Sequence, residues 1–281
     1  MNGHRLRQKA GHLAMSALCL AVAVVWSVPF GWMISTAFKP NAEIFKLPLH
    51  WIPEQPTLEN FTKTLSAAPF GTYYLNSALV GVTTTLLVLL IASMAGYALA
   101  RLKFTGGNVI LGALLSTTMI PFQVMLIPFF ILMTSLGLVN TRSGLVLAYL
   151  ALFLPFCVFM FRAYYANFPR EIEESARIDG CSWIGVYWRV ALPLAKPVIA
   201  AAGIYTFIEA WNEFFVALIL TNRDAMRTLP VGLAQLQNDV YGISWGSIMA
   251  GSVLAGVPAM IVFLIMQRQI VSGLTSGAVK G

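Results

Sequence analysis

Five stretches of this chain, residues 13–38, 64–100, 104–141, 143–161 and 240–267, contain no Asp, Glu, Lys, Arg or His. The hydrocarbon core of a bilayer takes about 20 apolar residues per helix, and runs this long have no comparable place in water. A sixth run, 197–222, is broken by Glu209 and Glu213 alone until Lys and Arg resume at its flanks. Trimmed to their most apolar windows, the runs predict membrane helices near 13–35, 73–100, 108–135, 143–161, 198–220 and 245–267. The chain is 58% apolar and 10% charged, against roughly 25% charged in a soluble domain. That balance excludes a soluble globule and an unfolded chain alike, and predicts an all-α integral membrane protein with six transmembrane helices.

An even number of spans puts both termini on one side, and the distribution of Lys and Arg decides which side that is. Twelve of the 18 fall on the side of the N-terminus, among them Arg5, Arg101, Arg162, Arg170 and Arg189; six, such as Lys39, Lys63 and Arg142, fall on the other. Both termini are therefore expected in the cytoplasm. The same spread accounts for the net charge of +7 without a nucleic-acid partner. Arg5, Arg7 and Lys9 ahead of Ala21-Val22-Ala23 imitate a cleavable signal, but the apolar run continues to Phe38, too long for a signal core. An uncleaved anchor is expected. Cys19, Cys157 and Cys181 are too scattered for a disulfide framework or a zinc site.

Two hydrophilic connections stand out. Residues 39–70, punctuated by Pro40, Pro48, Pro53, Pro56 and Pro69, read as an external, irregular connector. Residues 162–197 read as structured. Pro169 opens a helix, Glu171, Glu173 and Glu174 favour its N-terminal dipole, and Gly180 suits the left-handed turn that ends it. Ser182 then caps a second short helix, predicted to run through Trp188 before Pro193 and Pro197 interrupt it. The expected organisation is 1–70 (N-terminal tail, first helix and external loop) and 71–281 (a five-helix core carrying the 162–197 loop). Small residues four apart, Ala92, Gly96 and Ala100 and then Ser247 with Gly251, favour close helix packing.

Gly242-Ile243-Ser244-Trp245-Gly246 matches the nucleophile elbow of serine hydrolases. It lies at the mouth of a membrane helix, and His4, His12 and His50 all precede it, so the match is rejected. No segment reads as a phosphate-binding loop of the type Gly, four residues, Gly-Lys-Ser/Thr; any ATP is bound by another chain. Ionisable residues inside a membrane point to function. Glu209 and Glu213, one helical turn apart with Trp211 and Asn212 between them, form a candidate substrate path, to which Asn76 and Gln123 also contribute; a purely structural helix contact explains the same residues. Other neutral polar residues, Ser77, Thr83 and Thr206, read as packing contacts.

The loop sequence Glu171-Ile172-Glu173-Glu174-Ser175-Ala176-Arg177-Ile178-Asp179-Gly180, with Val190-Ala191-Leu192-Pro193 beyond it, resembles the EAA loop of the membrane subunits of bacterial binding-protein-dependent ABC importers. That loop reads Glu-Ala-Ala, three residues, Gly, nine residues, then Ile, any residue, Leu-Pro. Ser175 stands where the family has Ala and Val190 where it has Ile. Trp51-Ile52-Pro53, the stretch Gly96 to Arg101, Ala210-Trp211-Asn212-Glu213 and the tail Gly273 to Gly281 extend the likeness to the second permease of maltose-type carbohydrate importers. The resemblance implies a type I importer permease fold in the bacterial cytoplasmic membrane and, as partners, a second homologous permease, two cytosolic ATPase subunits and an extracytoplasmic sugar-binding protein. It assigns ATPase coupling to Glu174, Ser175, Ala176, Asp179, Gly180, Leu192 and Pro193. No cofactor is expected on this chain; ATP and Mg belong to the ATPase subunits. Two rivals remain open at this point: an ion-gradient-driven secondary transporter using Glu209 and Glu213, and a membrane enzyme, for which the sequence offers no nucleophile or metal constellation.

Overall fold

In a bilayer the backbone must satisfy its own hydrogen bonds, which long helices do within one segment. The computed structural model describes residues 2–102, 105–236 and 244–278, with side chains over 13–102, 105–236 and 244–265. Among the described residues there are helices and no strand. In chain order they are α1 (Asn2–Ala37), α2 (Asn41–Ile44), α3 (Glu59–Ala67), α4 (Phe70–Arg101), α5 (Gly107–Thr118), α6 (Phe122–Ser135), α7 (Arg142–Ala166), α8 (Arg170–Ile178), α9 (Trp183–Val186), α10 (Leu192–Leu194), α11 (Lys196–Asn212), α12 (Phe215–Leu220), α13 (Leu229–Gln235) and α14 (Trp245–Ala278). Four are long and apolar enough to cross a membrane alone, within α1, α4, α7 and α14; the number rises to six if two bent pairs each count as one span.

The predicted span 108–135 is not one helix. It breaks into α5 and α6, bent by 99° across Met119–Pro121. Pro121 lacks an N–H and holds the residue before it out of the helical region. The predicted span 198–220 divides as well: α11 ends at Asn212 and α12 begins at Phe215, with Glu213 at ψ 125° between them. Its N-terminal side bends by 75° where α11 meets the preceding helical segment, Trp183–Leu194. Nor is the 39–70 connector wholly irregular, since α2 and α3 lie within it.

The described chain forms two compact units, Met1–Ala68 with Leu233–Gly256, and Pro69–Gly232 with Val257–Gly281. In the first, the buried amide of Asn60 donates to the carbonyls of Ala37 (2.9 Å) and Lys39 (2.7 Å), tying α3 to the end of α1. Thr64 donates to the Ser247 carbonyl at 2.8 Å. Gly246 is backed directly by the Asn60 side chain, which leaves no room for a Cβ. Ser244 accepts from the Ser247 amide at 3.4 Å and so serves the start of α14; Gly242 and Ile243 of the rejected hydrolase motif lie outside the described residues.

In the second unit, α4 packs along α7 and α11. Gly96 permits the first of these crossings: a Cβ there would stand 2.5 Å from the Phe161 Cβ and 2.8 Å from the Arg162 amide nitrogen. The turn from α6 to α7 is fixed by Asn140, in the left-handed region at φ 57°. Its amide donates to Leu220 (2.7 Å) and its side-chain oxygen accepts from the amides of Asn222 (2.9 Å) and Arg223 (3.0 Å). Thr141 then caps α7 by accepting from the Gly144 amide at 3.0 Å.

Because backbone stands so near Gly96, Gly96→Val should lower the stability of the detergent-solubilised chain by about 1–3 kcal/mol, the cost of overpacking. Gly71→Ala, where an added Cβ meets nothing within 4 Å, should stay within about 0.5 kcal/mol. Thermal unfolding of both variants measures the difference, and equal stabilities would refute the close crossing.

Candidate functional site

The segment joining α7 to α11 is built as the local sequence dictates. Glu171 and Glu173 occupy the first turn of α8 and Arg177 its last, each complementing the helix dipole. Gly180 ends the helix at φ 88°, a conformation that Cβ-bearing residues resist. The Cys181 amide reaches back to the Ala176 carbonyl at 3.1 Å, and the Asp179 amide to Ser175 at 3.0 Å. Ser182 opens α9 by accepting from the Gly185 amide at 3.2 Å. Beyond α9 the chain departs from the expected short helix. A π-helical turn, Tyr187–Ala191, leads into α10, so Pro193 lies within the helical path and the interruption falls at Ala195, ahead of Pro197.

The two faces of this segment differ sharply. On its underside Glu173 is buried and accepts from Arg101 Nε at 3.0 Å, the two side chains 5% and 3% exposed. A terminal nitrogen of Arg101 also donates to the Phe168 carbonyl at 2.6 Å, and the Tyr97 hydroxyl lies 3.4 Å from the other Glu173 oxygen. Further along, the hydroxyls of Ser93 and Tyr187 are 2.7 Å apart. Ser93, Tyr97 and Arg101 recur every fourth residue and so share one stripe of α4. Tyr97 packs between Tyr165 and Tyr187, each 5.3 Å away between ring centres.

Glu174, Ser175, Asp179 and Gly180 lie exposed, Ala176 is half-buried, and Leu192 and Pro193 sit at the far end of the segment. Ser175 turns its hydroxyl to the Ile172 carbonyl of its own helix at 2.9 Å. Ile178 and Ile184 are 86% and 72% exposed, apolar surface in a charged setting. Arg177 stacks on Trp183 at 4.2 Å. Arg101, Arg170, Glu173, Glu174, Arg177 and Trp183 line a shallow open cleft of about 90 Å³. Sequence reasoning singled out the exposed residues and missed Arg101 and Glu173, although Arg101 closes the stretch from Gly96 that carries part of the family likeness.

The second candidate group is dispersed. Glu209 and Asn212 are exposed on the last turn of α11, whereas Trp211 is buried, stacked on Phe207 at 5.7 Å and edge-on to Tyr74 at 5.9 Å. Asn212 donates back to the Ile208 carbonyl at 2.9 Å. Glu213 lies beyond the helix end, so the expected placement of both carboxylates on one helical turn is incorrect. Its two oxygens accept from the amides of Val216 (2.8 Å) and Ala217 (3.0 Å), capping α12. Asn76 is fully buried and its side-chain amide is committed. It donates to the carbonyls of Ala225 and Arg227, both at 2.9 Å, and accepts from Arg142 at 2.9 Å. Gln123 is exposed in the first turn of α6, just past the Pro121 break. Among the described residues no group of His, Cys, Asp and Glu could hold a metal ion.

Residues 67–276 match the family described as binding-protein-dependent transport system inner membrane component. The sulfoquinovosyl glycerol transport system permease protein of Agrobacterium fabrum is 38% identical over 90% of this chain and 88% of its own length. The diacetylchitobiose uptake system permease protein of Streptomyces coelicolor is 37% identical over 95% and 96%. The trehalose/maltose transport system permease protein of Thermococcus litoralis is 37% identical over 93% and 94%. A bacterial ABC transporter involved in import of the acidic polysaccharide alginate shares the fold, with a TM-score of 0.78 at 23% identity over 92% of this chain and 96% of that one.

The capping role of Glu213 is open to direct test. Glu213→Ala removes the acceptor of two amides and should destabilise α12 by about 1–2 kcal/mol, whereas Glu213→Gln keeps one acceptor oxygen and should lose less. Hydrogen exchange at the Val216 and Ala217 amides reads this, and unchanged protection in the Ala variant would refute the cap.

Proposed function

We propose that this chain, which belongs to the family of binding-protein-dependent transport system inner membrane components, is the second permease of an ATP-driven importer that passes a sugar or oligosaccharide across the bacterial cytoplasmic membrane. Its full complex holds a second homologous permease, two cytosolic ATPase subunits and an extracytoplasmic sugar-binding protein. ATP and Mg are bound by the ATPases. The chain crosses the membrane six times, with both termini and the 162–197 segment in the cytoplasm, as the distribution of Lys and Arg favours.

The observation that carries the reading is the two-faced segment around Gly180: a helix, a left-handed bend and a second helical stretch, buried beneath and open above. Ile178 and Ile184, bare in an otherwise charged setting, are the kind of surface a protein partner covers. Glu174 and Asp179 beside them offer carboxylates to a basic partner, and Ala176 lets that partner approach. The relatives named for sugar or oligosaccharide transport support the substrate class. For the route itself, the exposed Gln123, Glu209 and Asn212 stand at the ends of interrupted helices, where polar groups facing a hydroxyl-rich substrate replace those a continuous helix would satisfy internally; Trp211 and Asn76 hold the surrounding frame. Against an ion site shared by Glu209 and Glu213 weighs the commitment of both Glu213 oxygens to the amides of Val216 and Ala217.

Purification from the native membrane should recover an ATPase with this chain, and Glu174→Lys should weaken that association. Gly180→Val should leave insertion intact while separating ATP hydrolysis from uptake, since its φ of 88° is unfavourable for a β-branched residue. Recovery of a transport-competent chain without any ATPase would overturn the reading. A reporter placed within 162–197 that registers the exterior would do the same.

A further inference from the structure

The exposed face of the α8 segment serves docking; its buried face makes contacts that docking does not use. Glu173 and Arg101 are sequestered together, and a buried ion pair surrenders the hydration of both partners. Apolar side chains of similar size would hold the segment at least as firmly. The pair differs from apolar packing in direction and in reach. Arg101 bridges two points of the segment, the Glu173 carboxylate at 3.0 Å and the Phe168 carbonyl at 2.6 Å. Two turns earlier on the same stripe of α4, Ser93 meets Tyr187 at 2.7 Å, beyond the Gly180 bend. Both arms of the bent segment are therefore fastened to one uninterrupted helix, and the bend cannot hinge without parting a buried polar contact. Adjacent carboxylates divide the labour: Glu174 faces outward and Glu173 inward.

We infer that α4 is the helix that receives the motion of the coupling segment, with Arg101 and Glu173 as positioning residues that make the segment and the last turns of α4 move as one body. This rests on the coupling role proposed for the segment. It implies that force enters the membrane across the Ser93–Tyr97–Arg101 stripe as well as along the covalent continuations into α7 and α11.

The test uses the complete complex, with its ATPases and binding protein, reconstituted in proteoliposomes. Spin labels at Glu171→Cys and Leu102→Cys, in a chain whose three native cysteines are replaced, should give one narrow distance that is the same without nucleotide and in the ATP-trapped state. A distance that changes between those states overturns the inference outright, with no need for a damaged variant. Glu173→Gln and Arg101→Met should then broaden that distance and raise the ATP hydrolysed per substrate imported severalfold. Tyr187→Phe should act in the same direction to a smaller degree. If the variants instead lower only the amount of assembled complex, with unchanged stoichiometry per complex, the pair is merely structural and the inference fails. Loss of ATP dependence in the unsubstituted complex would be a failure of the coupling role itself, and is distinguishable because it precedes any substitution.

Discussion

An unpaired peptide group in hydrocarbon costs several kcal/mol, which confines a membrane chain to helices and to helix ends that are repaired locally. Many of the polar side chains of this chain are placed accordingly. Glu213 supplies two acceptors where α11 gives way to α12, Asn140 and Thr141 rebuild the turn into α7, and Asn76 satisfies the carbonyls of Ala225 and Arg227. Asn60 does the same for the end of α1. A polar residue in an apolar run thus marks an irregularity of the backbone as readily as a ligand site.

The Arg101–Glu173 pair obeys a different logic, since it repairs little backbone beyond the Phe168 carbonyl. Removing one member of a buried pair strands the other charge, at a cost of about 3–5 kcal/mol, although the intact pair adds little over apolar packing. Such a pair specifies an arrangement more than it stabilises one. Here the specified arrangement is the orientation of α8 on α4, which decides whether Glu174 and Ile178 are presented outward.

The long spans were legible because burial in lipid acts on every residue of a run, so that α1, α4, α7 and α14 needed no tertiary information. Gly180 was legible because a left-handed helix end has few chemical solutions. The breaks were harder. Pro121 carried a visible signal, but one proline inside an apolar run can also be tolerated, as Pro29, Pro155 and Pro258 are within their helices. At Glu213 a carboxylate that caps and one that lines a path have the same sequence signature; the helix end at ψ 125° and the two amides that the carboxylate accepts identify the cap. The inward phase of Glu173 could not be read from a nine-residue helix with three glutamates near its start, because the deciding partner, Arg101, is 72 positions away. Pro193 misled because the rule that proline interrupts a helix assumes regular α-helical bonding, which the π turn before it suspends.

These features divide the second unit by mechanical character. Around α8 and the last turns of α4, buried polar contacts, a tyrosine cluster and the Gly96 crossing leave little freedom for one element to slide on another. At the far end of α11, continuity is given up: the helix stops, its last turn exposes Glu209 and Asn212, and α12 restarts from a carboxylate cap. The α5–α6 bend is a second interruption of the same kind. A fold meant to carry displacement from one side of a membrane to a passage within it needs stiffness where the displacement enters and a break where the wall must yield. On the coupling role proposed above, the interrupted helices at Glu213 and Pro121 would be the yielding points, and the contacts along the stripe from Ser93 to Arg101 would keep the entry point rigid.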